Sequence, residues 1–345
     1  MKENTRDQQN AIPLGWIIVG LLSLFAFLST AHGQTVTHVR TVGFTVSDMD
    51  RSIDFYTRVL TFEKVSDKEV SGSDLEHLSG VFGSRVRIVD LRLGNETLEL
   101  TEYLTPRGRS IPVDSRSNDH WFQHIAIIVS DMDMAYQVLR ANKVRHASTG
   151  PQTLPAYITA AAGIRAFYFK DPDDHVLEIL SFPTDKGAAK WHRSDSNSKL
   201  FLGIDHTAIV VGDSATSLKF YRDELGLMVA GTSDNYGPEQ EHLNNVFGAK
   251  LHITGLRTRD DGIAVEFLEY IAPRDGRPLP GDTRSSDLWH WETSFDADGI
   301  DRFLSTSKAD LISSGVVNFG ELTLGIRKAA SLRDPDGHAV RLIEN

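Results

Sequence analysis

The chain carries 13 His and no Cys. That excludes disulfides, thiolate zinc sites, iron–sulfur clusters and a cysteine nucleophile together. The residues able to do chemistry recur in pairs. Glu76-His77-Leu78 ahead of Val81-Phe82-Gly83 returns as Glu241-His242-Leu243 ahead of Val246-Phe247-Gly248. Leu98-Glu99, Glu102-Tyr103 and Pro106-Arg107 return as Val265-Glu266, Glu269-Tyr270 and Pro273-Arg274. Asp119 and Trp121 return as Asp287 and Trp289, and Asp171-Pro-Asp-Asp-His175 returns as Asp334-Pro-Asp-Gly-His338. The repeated arginines, Arg107 and Arg109 with Arg274 and Arg277, either offer guanidinium groups to an anionic substrate or fix a crossover by salt bridges. Trp121 and Phe122, with Trp289 and Trp291, either wall an apolar pocket or belong to a core. His77 and His242 sit in polar stretches and read as structural or surface residues. His175 and His338 sit in turns and read as exposed. No phosphate-binding loop, dinucleotide fingerprint or Ser-nucleophile elbow stands in a usable context.

These residues need elements to hold them. The offset between matching positions stays between 163 and 168 residues, which divides the chain into a first domain at 35–183, a polar linker at 184–199 and a second domain at 200–345. Each half divides again. Val39–Val46, His124–Val129 and Ile204–Val211 alternate as strands, and each runs into an Asp-containing turn and a helix. Met49, Ile53, Tyr56 and Leu60 recur at helical spacing, as do Leu218, Tyr221 and Leu225. Ser47 or Asp48 caps the first helix. Further strand-like runs follow at 62–65, 85–93 and 96–103. The unit is βαβββ, repeated four times, and the fold class is α+β. Hydrophobic residues at 40% and charged residues at 24% describe a globular chain. A net charge of −11 argues against a nucleic-acid partner, which needs a basic field.

Val46-Ser-Asp-Met-Asp-Arg-Ser-Ile-Asp-Phe-Tyr-Thr-Arg-Val-Leu60, its counterpart from His206, and the two Asp-Pro-Asp…His turns together resemble the vicinal oxygen chelate superfamily, the glyoxalase/bleomycin-resistance/dioxygenase family. The resemblance covers both halves. It implies two cupped barrels, each closed by two βαβββ units around one divalent metal, with ligands from the first and last strands. It places first-strand ligands seven residues before the Asp that ends the strand. Those positions are Thr41, His124 and His206, with His38 three residues before Thr41 and, on a continuous strand, on the opposite face. In unit four the repeat gives Glu292, with His290 two residues earlier on the same face. The last-strand positions are Glu99, Glu178, Glu266 and Arg341, and an Arg cannot bind a metal.

If neighbouring units pair, both sites are incomplete. If units two and three pair, they supply His124, Glu178, His206 and Glu266, the set of glyoxalase-I-like members, and units one and four keep a degenerate set of Thr41, Glu99, Glu292 (or His290) and Arg341. The second partition is preferred, with Arg341 standing in for the missing cation through a salt bridge to Glu99 or Glu292. Such a set suits one divalent Zn, Ni, Co, Mn or Fe. The ion would act as Lewis acid on two vicinal oxygens of a small-molecule substrate, with Glu178 or Glu266 as the base. This implies isomerase or lyase chemistry. The alternatives are an Fe(II) ring-cleaving dioxygenase, built from His206, His290 and Glu266 under neighbour pairing, and a non-catalytic, antibiotic-sequestering binding protein. The duplication lets one chain mimic a dimer of single-half proteins, so a monomer or a homodimer is expected.

Residues 1–33 read as an address. Lys2 and Arg6 precede an apolar run at 16–28, and Ala31-His-Gly33 is small at the positions a signal peptidase reads. The competing reading is an uncleaved membrane tether over residues 11–28, at the lower edge of a bilayer span. Either places the working chain outside the cytoplasm, secreted or periplasmic, which argues against a glutathione-dependent activity.

Overall fold

Three of the four units open in the same way. A strand ends at an Asp whose carboxylate accepts the backbone N–H three residues on: Asp48 from Arg51 at 3.0 Å, Asp131 from Met134 at 2.9 Å and Asp213 from Thr216 at 2.7 Å. Each thereby satisfies an orphan donor of a short helix. The computed structural model describes residues 36–192, 199–260, 262–320 and 325–345. Residues 1–33, read above as a signal or as a tether over 11–28, lie outside the described residues. Among those residues no helix is long and apolar enough to cross a membrane.

Unit one comprises β1 (Val36–Val46), α1 (Met49–Asp54) running into a π-helical turn at Phe55–Val59, β2 (Glu63–Ser71), α2 (Ser73–Ser79), β3 (Arg85–Leu93) and β4 (Glu96–Thr105). Unit two comprises β5 (Gln123–Val129), α3 (Met132–Ala141), the short β6 (Arg145–His146) and β7 (Gln152–Thr153), β8 (Arg165–Lys170) and β9 (Val176–Ser181). Unit three repeats unit one as β10 (Phe201–Val211), α4 (Ser214–Leu218) with its π-helical turn at Lys219–Glu224, β11 (Met228–Tyr236), α5 (Pro238–Asn244), β12 (Lys250–Arg257) and β13 (Ala264–Ala272). Unit four comprises β14 (Trp291–Ala297), α6 (Ile300–Thr306), β15 (Val317–Asn318), β16 (Lys328–Arg333) and β17 (Ala339–Glu344).

The strands form two sheets that ignore the division into sequence halves. One has the order β15-β16-β17-β14-β1-β4-β3-β2 and joins unit one to unit four. The other has the order β11-β12-β13-β10-β5-β9-β8-β6 and joins unit two to unit three. First strands meet antiparallel at the centre of each sheet, β1 on β14 and β10 on β5. Each first strand also pairs parallel with its own unit's last strand. The main core draws buried residues from all four units, among them Phe44, Tyr56, Ile127, Phe167, Phe267 and Phe295.

Two loops cross to lock the halves. Gly108 and Gly276 sit so close to the opposite backbone that an added Cβ would lie 1.9 Å from the Ser286 carbonyl oxygen and 1.8 Å from that of Asn118. No other residue fits there. The approach lets Arg109 donate to buried Asp287 from Nε at 3.1 Å and Nη2 at 2.7 Å, while Arg277 does the same to buried Asp119 at 3.0 and 2.7 Å. The two guanidinium groups also lie over Trp289 and Trp121, each 4.7 Å from the ring. The repeated Asp-Pro-Asp turns add a second pair of braces. His175 and His338 are buried, not exposed as their turn positions implied. Each ring contacts its own turn's Asp, Asp171 or Asp334, at 2.9 Å. On its other side each reaches a carbonyl of the opposite half, Leu288 at 2.6 Å or His120 at 2.8 Å. Tyr56 and Tyr221 donate to the same two carboxylates at 3.1 Å.

Candidate metal centre

A ligand set must leave its sheet on one face. In the β10–β5 pair, His206 stands opposite Ala126 and Ala208 opposite His124, so the two histidines are diagonal neighbours on the concave face. Beside them, Ala126 pairs with Glu178 and Ala208 with Glu266 across the parallel ladders. The imidazole rings lie 5.8 Å apart. Nε2 of His124 is 3.3 Å from Oε2 of Glu178, and Nε2 of His206 is 3.6 Å from the same oxygen. Oε1 of Glu266 is 3.8 Å from Nε2 of His206. One ligand atom each of His124, Glu178 and His206 fall within 4.8 Å of one another, so these three could hold a metal ion. Neither nitrogen of His124 has a hydrogen-bond partner although the ring is fully buried. A buried imidazole left without partners costs free energy, and a cation between it and Glu178 would remove that cost. The donor set therefore fits a divalent ion of the Zn, Ni, Co, Mn or Fe class.

His206 is oriented by Asp205, which the sequence reading missed. Adjacent strand residues normally face opposite ways. Here the β10–β5 register shifts between Ile204 and His206, making Asp205 the extra residue of a bulge. Its Oδ2 sits 3.0 Å from Nδ1 of His206, fixing the tautomer that leaves Nε2 free for a metal. Burial opposes the charged form of His206, but the Glu266 and Asp205 carboxylates outweigh it and raise the pKa to about 9. Asp205 is itself held by Trp191, whose Nε1 donates at 2.9 Å, and by Arg257 at 3.3 Å. Burial, together with the neighbouring Glu178 charge, raises the Glu266 carboxyl above the usual carboxylate range.

A cavity of about 540 Å³ opens before this cluster, with Glu178, His206 and Glu266 on its wall. Tyr168 of β8 also lines it, its ring 4.8 Å from that of His124. The proposed substrate contacts lie elsewhere. Phe122 packs edge-on against His124 in the core. Trp121 borders a separate cavity of about 200 Å³. Arg107 and Arg274 are largely exposed, 3.9 Å from Glu102 and 3.7 Å from Glu269. The crossover locks have taken Arg109, Arg277, Trp121 and Trp289.

The other barrel presents the same positions with different side chains. Glu292 stands opposite Gly43 as His124 stands opposite Ala208, so Glu292, not His290, occupies the first-strand position of unit four. Arg341 lies between Glu99, at 3.0 Å, and Glu292, which it contacts more closely through Nη2. Thr41 turns its hydroxyl to the Thr97 carbonyl at 2.9 Å. The cavity here is only about 40 Å³, room for about one water. His290 is buried on its wall, its pKa lowered to about 3 by burial and by Arg333 and Arg341. It stands immediately before β14, beside the sheet of units one and four, so the set His206, His290 and Glu266 is not assembled. His38 lies outside the site, 2.7 Å from Asp296. His77 and His242 lie on α2 and α5, helices the sequence reading left as polar stretches.

A sequence profile of the Glyoxalase/Bleomycin resistance protein/Dioxygenase superfamily matches residues 35–179 and 203–342. A 2-epi-5-epi-valiolone epimerase from Actinomyces sp is 33% identical over 150 residues, 42% of this chain and 79% of that protein. A lactoylglutathione lyase from Haemophilus influenzae is 30% identical over 146 residues, 41% of this chain and 92% of that protein. Among solved structures, a single-substitution variant of glyoxalase I from Zea mays superposes with a TM-score of 0.59 at 16% identity, covering 91% of this chain and 94% of that one, a likeness of fold alone. With both halves matched and both sheets built from its repeating unit, the chain belongs to the Glyoxalase/Bleomycin resistance protein/Dioxygenase superfamily.

Proposed function

We propose that this chain is a metal-dependent enzyme of the isomerase or lyase type, moving a proton at the carbon beside a carbonyl in a small molecule with two vicinal oxygens. The observation that carries the reading is the buried His124, neither of whose nitrogens is hydrogen-bonded, converging with Glu178 and His206, the latter two on the wall of the cavity. A bound divalent ion would supply Lewis-acid polarisation of the two oxygens. His124, His206 and Glu178 are the ligands. Glu178 is the more deeply buried carboxylate and lies between the imidazoles, whereas the Glu266 side chain keeps 26% of its surface exposed and faces the cavity. Glu266 therefore takes and returns the proton. Both curated relatives are named as enzymes, an epimerase and a lyase, which supports this class. All the ligands come from one chain, so a monomer suffices. The apolar run at 16–28 and the small residues after it support a place outside the cytoplasm.

The test is the metal content of the purified protein beside His124→Ala and His206→Ala, followed by deuterium incorporation from D₂O into a small neutral α-hydroxyketone. About one divalent ion per chain, lost in both variants, and exchange lost in Glu266→Gln, is the expected result. A folded protein that takes up no metal overturns it. A second reading rests on the same three side chains, since two imidazoles and one carboxylate also suit Fe(II) oxygen chemistry. Consumption of O₂ with catechol by the Fe(II)-loaded protein would favour it.

A further inference from the structure

One side of the 540 Å³ cavity comes from three segments. Leu154, Ala161 and Ile164 belong to the stretch between β7 and β8, Leu180 to β9 with Phe182 just after it, and Ala188 to the linker between the halves. All six are apolar. The linker is thus a wall of the cavity, pinned there by the bond from Trp191 to Asp205.

The charge inventory is one-sided. Glu178, Asp205 and Glu266 contribute carboxylates. Among the described residues no Lys lines the cavity; His206 stands on its wall with Asp205, Glu178 and Glu266 already against its ring nitrogens, and Arg257 is the single guanidinium. That group is already engaged, 3.3 Å from Asp205 and 3.3 Å from the Gly262 carbonyl. The neutral polar groups on the far wall are satisfied among themselves. Ser233 bonds to Asn235, Asn235 donates to Gln240 at 2.9 Å, Gln240 donates to Asn244, and Asn244 donates to the Tyr270 hydroxyl at 2.7 Å. An anionic arm entering here would lose its water and meet no free cation, a cost that burial of an unpaired charge always carries. A neutral apolar arm loses nothing and buries surface on both sides.

We infer that the part of the substrate beyond the two chelating oxygens is neutral and predominantly apolar, and that the cavity rejects polyanionic arms such as a peptide–thiol conjugate. This rests on the reading of the cavity as the substrate site, and it needs neither metal nor turnover to be tested. Two dyes share one ring system and differ by a sulfonate: neutral N-phenyl-1-naphthylamine and anionic 8-anilinonaphthalene-1-sulfonate. Each is titrated by fluorescence into the metal-stripped full chain, beside Ala188→Trp and Ala188→Arg, with circular dichroism confirming that the variants fold.

The neutral dye is expected to bind at one site, at least tenfold tighter than the sulfonate. Ala188→Trp fills the cavity and abolishes that binding. Ala188→Arg supplies the missing cation and moves the preference toward the sulfonate. Equal or tighter binding of the sulfonate by the unmodified chain overturns the inference. So does absence of neutral-dye binding, or binding that a folded Ala188→Trp leaves unchanged. Loss of metal binding in the His124 and His206 variants is a separate measurement, so the two readings fail independently.

Discussion

Replacing Arg341 with Leu tests whether a guanidinium has taken the place of a metal in the first barrel. Arg341 lies largely enclosed, with 16% of its side chain exposed, between Glu99 and the buried Glu292, and Glu292 has Ser331 as a further donor at 2.9 Å. Leucine leaves both carboxylates facing each other without a cation. Removing one partner of a buried pair costs about 3–5 kcal/mol. The carboxylates can escape part of that cost by binding a proton, because burial already raises the Glu292 carboxyl even with Arg341 present. The sign follows. A carboxyl whose folded pKa is raised binds its proton more readily in the folded state than in the unfolded one. The variant is therefore least destabilised at low pH, and its stability falls as pH rises from the unfolded value of about 4.3 through the raised folded value. Each such carboxyl contributes a slope of about 1.4 kcal/mol per pH unit in that interval. The assay is urea denaturation of the parent and variant at pH 5 and pH 8. A deficit of about 3–5 kcal/mol at pH 8, smaller at pH 5, is expected. The triple variant Glu99→Gln, Glu292→Gln, Arg341→Leu should recover most of it, since no charge remains buried. A deficit below about 1 kcal/mol at pH 8, or one that grows toward pH 5, refutes the reasoning.

Three further outcomes follow from the same geometry. Asp205→Asn keeps an acceptor for His206 but removes the charge behind it, so metal affinity should fall about 10- to 100-fold in competition with a chelator; unchanged affinity would remove Asp205 from its orienting role. Asp287→Ala strips the acceptor from Arg109 and from the Arg284 amide, and should cost about 3 kcal/mol in urea denaturation, since bonds to charged groups are the stronger ones; under about 1 kcal/mol would mean that the crossed loops do not lock the halves. Burial opposes the charged form of His175, but Asp171 overrides it and raises the pKa. The stability this pair gives is complete below the unfolded pKa of about 6.5 and is lost as pH rises through the folded value. The stability difference between the parent and Asp171→Asn should therefore be larger at pH 6 than at pH 9, and a difference that grows with pH would contradict that sign.

Much of the candidate centre was legible before any coordinates. The resemblance to a known family supplied the rule that a strand ligand stands seven residues ahead of the Asp, and through it His124, His206, Glu178 and Glu266 could be placed on first and last strands. The two-residue strand period put all four on one face once the strands were paired. Local spacing could not show the bulge at Asp205, because a one-residue slip exists only relative to a partner strand. Nor could it show that Ala188 walls the cavity or that Trp191 orients the ligand's partner, since the linker has no strand period to read. His175 and His338 looked exposed because turns usually are. Their burial comes from docking against the opposite half of the chain.

By itself the sequence determined the repeat, the four units and the strand faces, which are read by matching segments and by local alternation; the ligand positions came with the family resemblance. Only the tertiary structure decided which units share a sheet. Pairing neighbours and pairing two with three use the same strands with the same alternating faces, so no local pattern separates them. The choice rests on contacts far apart in sequence: β10 against β5, β1 against β14, and the close crossing at Gly108 and Gly276. That choice gathers both histidines and both carboxylates in one barrel, and leaves Arg341 as the only cation between Glu99 and Glu292 among the described residues of the other.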